Sequence, residues 1–207
     1  MEERLTRRDG EAMLLQAIVV LAIPAFFLAM AVEHLLARRR GLPGYRLEDA
    51  ISSVGCGIAQ QISLVFLSGL LVGGYDVLHR HVQLVTFAPG SPWPWLIGFV
   101  AADLVFYWWH RASHEIGFLW ASHVVHHQSE EYNLSTALRQ AIASSVNSAP
   151  FYYPVALLGV PTATYEVMIA GSALYQFWLH TRLVGKLGPL ERVLNTPSNH
   201  RVHHAVN

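Results

Sequence analysis

Charge is what this sequence has least of. Only 14% of its 207 residues are Asp, Glu, Lys or Arg, against roughly 25% in an ordinary soluble domain. The 14 basic and 14 acidic side chains also cancel, so no net positive field points to nucleic acid as a partner. With 53% apolar residues and a mean hydropathy of +0.32, the chain is short of the polar surface a soluble globule needs and reads as an integral membrane protein. Cysteine is nearly missing too. Cys56 stands alone inside an apolar run, which excludes a disulfide framework and a thiolate metal site. It is read as a small buried hydrophobe. Internal repeats and low-complexity linkers are also lacking, so a single domain over 1–207 is the simplest count.

What is present instead is a series of long apolar runs. The first, near 12–32, is long enough at 1.5 Å per residue to cross the ~30 Å hydrocarbon core. Arg4, Arg7 and Arg8 precede it and Arg38, Arg39 and Arg40 follow, the pattern of a retained helix with a tolerated Pro24 rather than a cleaved leader. A second span near 50–74 is rich in small residues that allow close helix approach, and its Gln60 and Gln61 need partners within a bundle. A third, near 93–110, follows a Pro- and Gly-broken link, with Trp93 and Trp95 suited to an interfacial belt. Pro150, Pro154 and Pro161 divide the last apolar region, near 146–180, so a helical hairpin that returns the chain to the side it left is expected there. The fold class that follows is all-α, a multi-pass membrane helical bundle. In that layout ten Lys and Arg gather on the side holding Arg38–Arg40, Arg46, 111–143 and 180–207, against four opposite, which orients that side to the cytoplasm.

Twelve histidines stand out against this bland background. His110 and His114 lie in HRASH, His123, His126 and His127 in HVVHH, and His200, His203 and His204 in HRVHH. Positions i, i+3 and i+4 share a helix face, so each cluster aims two or three imidazoles together. Neutral imidazole is a strong ligand for Fe, Zn, Cu and Ni, and eight or more nitrogens exceed what one ion accepts, so two ions are the economical reading. Packing histidines have no reason to repeat one HxxHH spacing 77 residues apart. His180, after an apolar run in FWLHTR, returns to the same face and is a ninth candidate ligand. His34, His79 and His81 stand singly and read as ordinary polar residues near an interface. The H-E-x-x-H protease signature is absent, because Phe118 stands where its second histidine belongs. No Glu-x-x-His pair of the carboxylate-bridged di-iron bundles occurs, and dense triplets do not suit bis-histidine haem. An all-nitrogen two-metal site leaves iron oxygenases as the natural chemistry, while spacing alone does not separate iron from zinc.

The stretches DLVFYWWHRASHE, HVVHHQSEEYNLSTALRQ and NTPSNHRVHHAVN, with His180 between the last two boxes, resemble the fatty acid hydroxylase/sterol desaturase superfamily of membrane histidine-box di-iron enzymes. Within it they are most similar to the alkylglycerol monooxygenase-like branch. These motifs cover about half the chain, from Asp103 to Asn207, whereas the first hundred residues match only as generic membrane spans. The resemblance implies O2-dependent hydroxylation, ether cleavage or desaturation at an unactivated C–H bond of a lipid, whether alkylglycerol, sterol or fatty acyl. It also implies two iron ions, O2 as co-substrate and an external reductant, either tetrahydrobiopterin or a cytochrome b5- or ferredoxin-like donor. Family members continue past the third box into a segment with Asn-Tyr-Gly and a Trp-Asp pair, so a shortened C-terminus is expected here.

Around the boxes, Asp103 lies seven residues before His110, on nearly the same helix face. It is either a carboxylate partner of a metal-bound imidazole or the structural partner of a buried Arg or Tyr. Glu115 and Asn133 match the family-like motifs and are either functional or bonded into helix and turn. Glu130, Glu131 and Arg139 are expected on a solvated or headgroup face, and Trp108, Trp109 and Trp120 as interfacial and packing aromatics. Two rival functions stand beside the lipid oxygenase. A metal transporter would carry its ligands near the middle of its spans rather than at their ends. A catalytically inactive membrane metal-binding protein is the other.

Overall fold

A computed structural model describes residues 22–205 of the protein. Every regular element among them is helical. The expected first span is seen as a helix, α1, over 22–39, with residues 12–21 outside the described residues. α2 (Leu47–Val82) has 36 residues, roughly 54 Å at the helical rise, and overruns the expected 50–74 at both ends. It is the one described helix that is long and apolar enough to cross a membrane, and its most apolar window is not buried in the protein at all. α3 (Trp93–Glu115) opens with Pro94 in its first turn, where the missing N–H costs nothing.

The last apolar region forms two helices joined by a bend. α5 (Ile142–Tyr152) carries Pro150 and passes into a 3-10 turn, Tyr153–Leu158, before α6 (Thr162–Leu179) runs back. Gly159 closes that turn at φ +77°, and a Cβ there would meet Val85 O at 2.1 Å, so only glycine fits. The bend docks on the far end of α2. Tyr75, fully buried with Val155, Ala156 and Val160, donates its hydroxyl to Val160 O at 2.9 Å and stacks on Tyr165 with ring centroids 4.0 Å apart.

The opposite end of α2 meets the histidines. α3 stops at Ile116, whose extended backbone (φ −105°, ψ 115°) makes a one-residue corner before α4 (Gly117–His127). A polar strap, 128–141, then crosses α2 so closely that a Cβ on Gly57 would lie 2.7 Å from Leu138 O. Gln60 finds its expected partner in Ser145 Oγ at 3.4 Å, while Gln61 is exposed. α7 (Pro197–His203) closes this end, capped by the Thr196 side chain.

Candidate metal centre

The structure brings all nine clustered histidines together, and sorts them. His110, His114, His123, His127 and His203 offer ring nitrogens that lie within 4.8 Å of one another, and His126, His180, His200 and His204 form a second such group. Each HxxHH box is therefore divided. Its i and i+4 members go to one group and its i+3 member to the other, because on a helix i+4 lies about 40° from i whereas i+3 lies about 100° from i+4. The box on α4 gives its pair to the five-ring group and His126 to the four-ring group. The box on α7 does the reverse, giving its pair to the four-ring group and His203 to the five. The one-residue corner at Ile116 folds the HxxxH pair of α3 against α4, with His114 Nε2 and His123 Nε2 3.1 Å apart.

Hydrogen bonds at the backs of the rings decide what faces the centre. His126 Nδ1 donates to Arg139 O at 3.2 Å, and His180 Nδ1 donates to Gln176 O at 2.9 Å. Both rings then carry their proton on Nδ1, and when neutral both present a bare Nε2 lone pair inward. Those two Nε2 atoms are 3.1 Å apart, and His200 Nε2 is 3.0 Å from His180 Nε2. The His126–His180 contact thus sets lone pair against lone pair, and His203 Nε2 and His204 Nε2 are buried with no partner. Protonation does not relieve the conflict. Burial, reinforced by neighbouring rings, pushes His123 and His127 down to about 3 and His203 to about 4, and His126 and His204 are driven well below their usual range by the same causes. Converging neutral imidazoles, two of them with backs pinned by carbonyls, are the arrangement a d-block cation satisfies.

The supporting residues differ in part from those read off the sequence. Asn133 is buried and caps the 3-10 turn Leu134–Leu138, accepting from Ser135 N at 3.0 Å. Glu115 is exposed and pairs with Arg111 at 3.0 Å on the same helix. Asp103 is exposed on α3 and, among the described residues, makes no hydrogen bond to an imidazole; its charge is felt by Tyr152 and Tyr175. Trp109 and Trp120 pack against the rings, with Trp109 buried, and Trp108 is exposed under Arg111. Arg139, expected on a solvated face, is instead largely buried against Asp49 at 3.2 Å. Two acids escaped notice in the sequence. Glu33, 4% exposed, accepts from Tyr45, Thr181 and Leu134 N and ties α1 to both chain segments beside the site. A carboxylate at the edge of an apolar span is the signal that could have found it. Asp49 looked like any acid in a first helical turn.

Residues 95–207, which carry all nine clustered histidines, match the sequence profile described as fatty acid hydroxylase. The chain belongs to the fatty acid hydroxylase family. Among curated proteins this hydroxylase-family chain is 41% identical over 187 residues to alkylglycerol monooxygenase of Homo sapiens, covering 90% of the chain and 42% of that protein. To the alkylglycerol monooxygenase of Xenopus tropicalis it is 40% identical over 183 residues, 88% of the chain and 41% of the relative. An ornithine lipid hydroxylase of Rhizobium tropici is 30% identical over 156 residues, 73% of the chain and 46% of the relative. The hydroxylase-family chain thus spans less than half the length of each of these relatives. No solved structure matches it.

Proposed function

We propose that the two histidine groups hold two iron ions and that the protein uses O2 to hydroxylate, or desaturate, a lipid at an unactivated C–H bond. The observation that carries this reading is the five-plus-four sorting of inward-facing imidazole nitrogens. When bound, the iron pair supplies the redox chemistry with O2 that no side chain here provides. The chain's own residues hold and shape the site. Arg139 O and Gln176 O fix the tautomers of His126 and His180, and burial keeps the rings neutral and ready to ligate. His126, His180 and His200 are buried, whereas His114 is exposed, so the five-ring group is the side open to substrate. Asp103, Glu115 and Asn133 are kept as residues that shape the neighbourhood of the boxes rather than as ligands.

A membrane setting suits that chemistry. Val65, Phe66 and Leu70 on α2 are 71–80% exposed, and Phe99 and Leu104 on α3 are also turned outward, surfaces that lipid would cover. We place the boxes at the cytoplasmic edge of a multi-pass bundle forming one domain, where an acyl or alkyl chain arrives from the bilayer and electrons from water. Identity to alkylglycerol monooxygenases favours an alkylglycerol ether lipid as substrate, with sterol and acyl lipid as the arms to compare, and tetrahydrobiopterin and a cytochrome b5- or ferredoxin-like donor stand as equal candidates for the reductant.

The test is anaerobic reconstitution of the purified protein with ferrous iron, iron analysis and Mössbauer spectroscopy, then O2 uptake with each lipid class and each donor. The expected result is a load near two irons and lipid-dependent O2 uptake. A load below about one iron per chain would sink the two-iron reading. Full iron with no O2 uptake under any donor would make this an inactive metal-binding protein.

A further inference from the structure

Arg139 does two jobs at once. Its backbone carbonyl accepts the Nδ1–H of His126 at 3.2 Å, while its Nε donates to Val125 O, one residue before that histidine, at 3.1 Å. One residue therefore holds both the imidazole and the backbone it hangs from. Its guanidinium is held in turn by Asp49, whose Oδ1 lies 3.2 Å from Nη1. The two side chains are 15% and 9% exposed, in surroundings where an ion pair is screened far less than at a surface. Asp49 is itself fixed. Ser129 donates to its Oδ2 at 2.5 Å and Glu130 N to its Oδ1 at 3.3 Å. Beside them Gln140 Nε2, which donates to Ala137 O at 3.2 Å, lies 3.4 Å from His126 Nδ1.

We infer that Asp49 and Arg139 are a positioning pair for His126, and through it for the ion of the four-ring group alone. The inference rests on the metal reading above. Neither side chain is a ligand, and among the described residues neither bonds to a ring of the five-ring group. His126 is the one ligand that α4 gives to the four-ring group, so loosening it removes a quarter of that donor set, while His123, a turn before it, and His127, next to it but aimed at the other group, keep theirs. Outer-shell partners of metal-bound histidines are typically worth roughly 10- to 100-fold in affinity. A tie that merely held the strap would lower stability without distinguishing the two ions.

Two variants of different severity test this. Arg139→Lys keeps a cation for Asp49 but loses the planar donor set that reaches Asp49 and Val125 together, and Asp49→Asn keeps an acceptor while removing the charge. Each is titrated with ferrous iron under anaerobic conditions, with Mössbauer spectra and circular dichroism recorded on the same samples. The expected result is weaker binding of one ion, by about 10-fold or more in Arg139→Lys and less in Asp49→Asn, with one of the two iron signals altered. The double variant is expected to be little worse than Arg139→Lys, because the two residues act in series. Unchanged affinity at both ions, or loss of both together with or without loss of helix, overturns the inference. Failure of the unaltered protein to bind iron would instead sink the metal reading itself.

Discussion

At the scale of single residues, the i+3 histidine of each HxxHH box is the informative one. His126 and His203 occupy the same place in their boxes yet serve opposite groups. Replacing each by alanine should therefore give mirror-image defects in an iron titration, His126→Ala weakening the four-ring ion and His203→Ala the five-ring ion. Each loss should exceed the roughly 10- to 100-fold cost of losing an outer-shell partner. Two variants that weakened the same ion would contradict the sorting. Proton linkage gives a second residue-scale test. His123, His127 and His203 titrate in the unfolded chain near 6.5 but in the fold at about 3, 3 and 4. Between those limits the unfolded chain binds more protons, so stability rises with pH. Metal-free protein should accordingly melt at full temperature above pH 6.5 and progressively lower as pH falls toward 4. A melting temperature constant from pH 7 to 5 would show that the rings are not buried neutral. The sequence made the nine ligand candidates legible because their spacing is local. It did not reveal the sorting, since whether a box points at one ion or two depends on where its helix sits between them.

At the scale of elements, the strap over α2 is what local reading missed. HQSEEYNLSTALRQ looked like a polar link, and its Arg139 finds Asp49 90 positions earlier in the chain, a pairing that no periodicity encodes. The helices were another matter. Apolar run length and proline placement located α2, α3 and the α5–α6 region, because those signals lie within each element, but they did not fix the ends: α2 runs to Val82 and α3 to Glu115. The strap's dependence on Gly57 can be tested. Gly57→Val adds atoms where Leu138 O already sits 2.7 Å from a bare Cβ position, and overpacking of this kind costs about 1–3 kcal/mol. Leu138 precedes the carbonyl that orients His126, so the variant should lose thermal stability and iron at the four-ring group together. Normal iron affinity in a destabilised Gly57→Val protein would separate the strap from the site.

At the scale of the whole molecule, orientation is the testable quantity. A reporter cysteine at Glu130, an exposed position beside the site, in a Cys56→Ala background should react with a membrane-impermeant reagent only from the cytoplasmic side of sealed vesicles. Labelling from the other face alone would invert the topology. The charge count that sets this expectation was open to the sequence, because it needs only span order. Which helices meet lipid was not, since that depends on how the bundle packs: no residue in the most apolar window of α2 is fully buried, whereas α6 buries Phe177 and Leu179.

α7 has seven residues, well short of the roughly 12–15 at which a helix in water begins to hold itself. Val202 on its outer side is 75% exposed, and its sequence supplies more imidazole than hydrocarbon to the interior. With ions present, three rings from this short turn and its cap are riveted to α3, α4 and the end of α6. Without them, the turn is held by a threonine cap and the buried Pro197 at its start. Binding of metal should then firm up this turn as well as fill the site, so metal-free protein should protect the α7 amides from hydrogen exchange less than metal-loaded protein does.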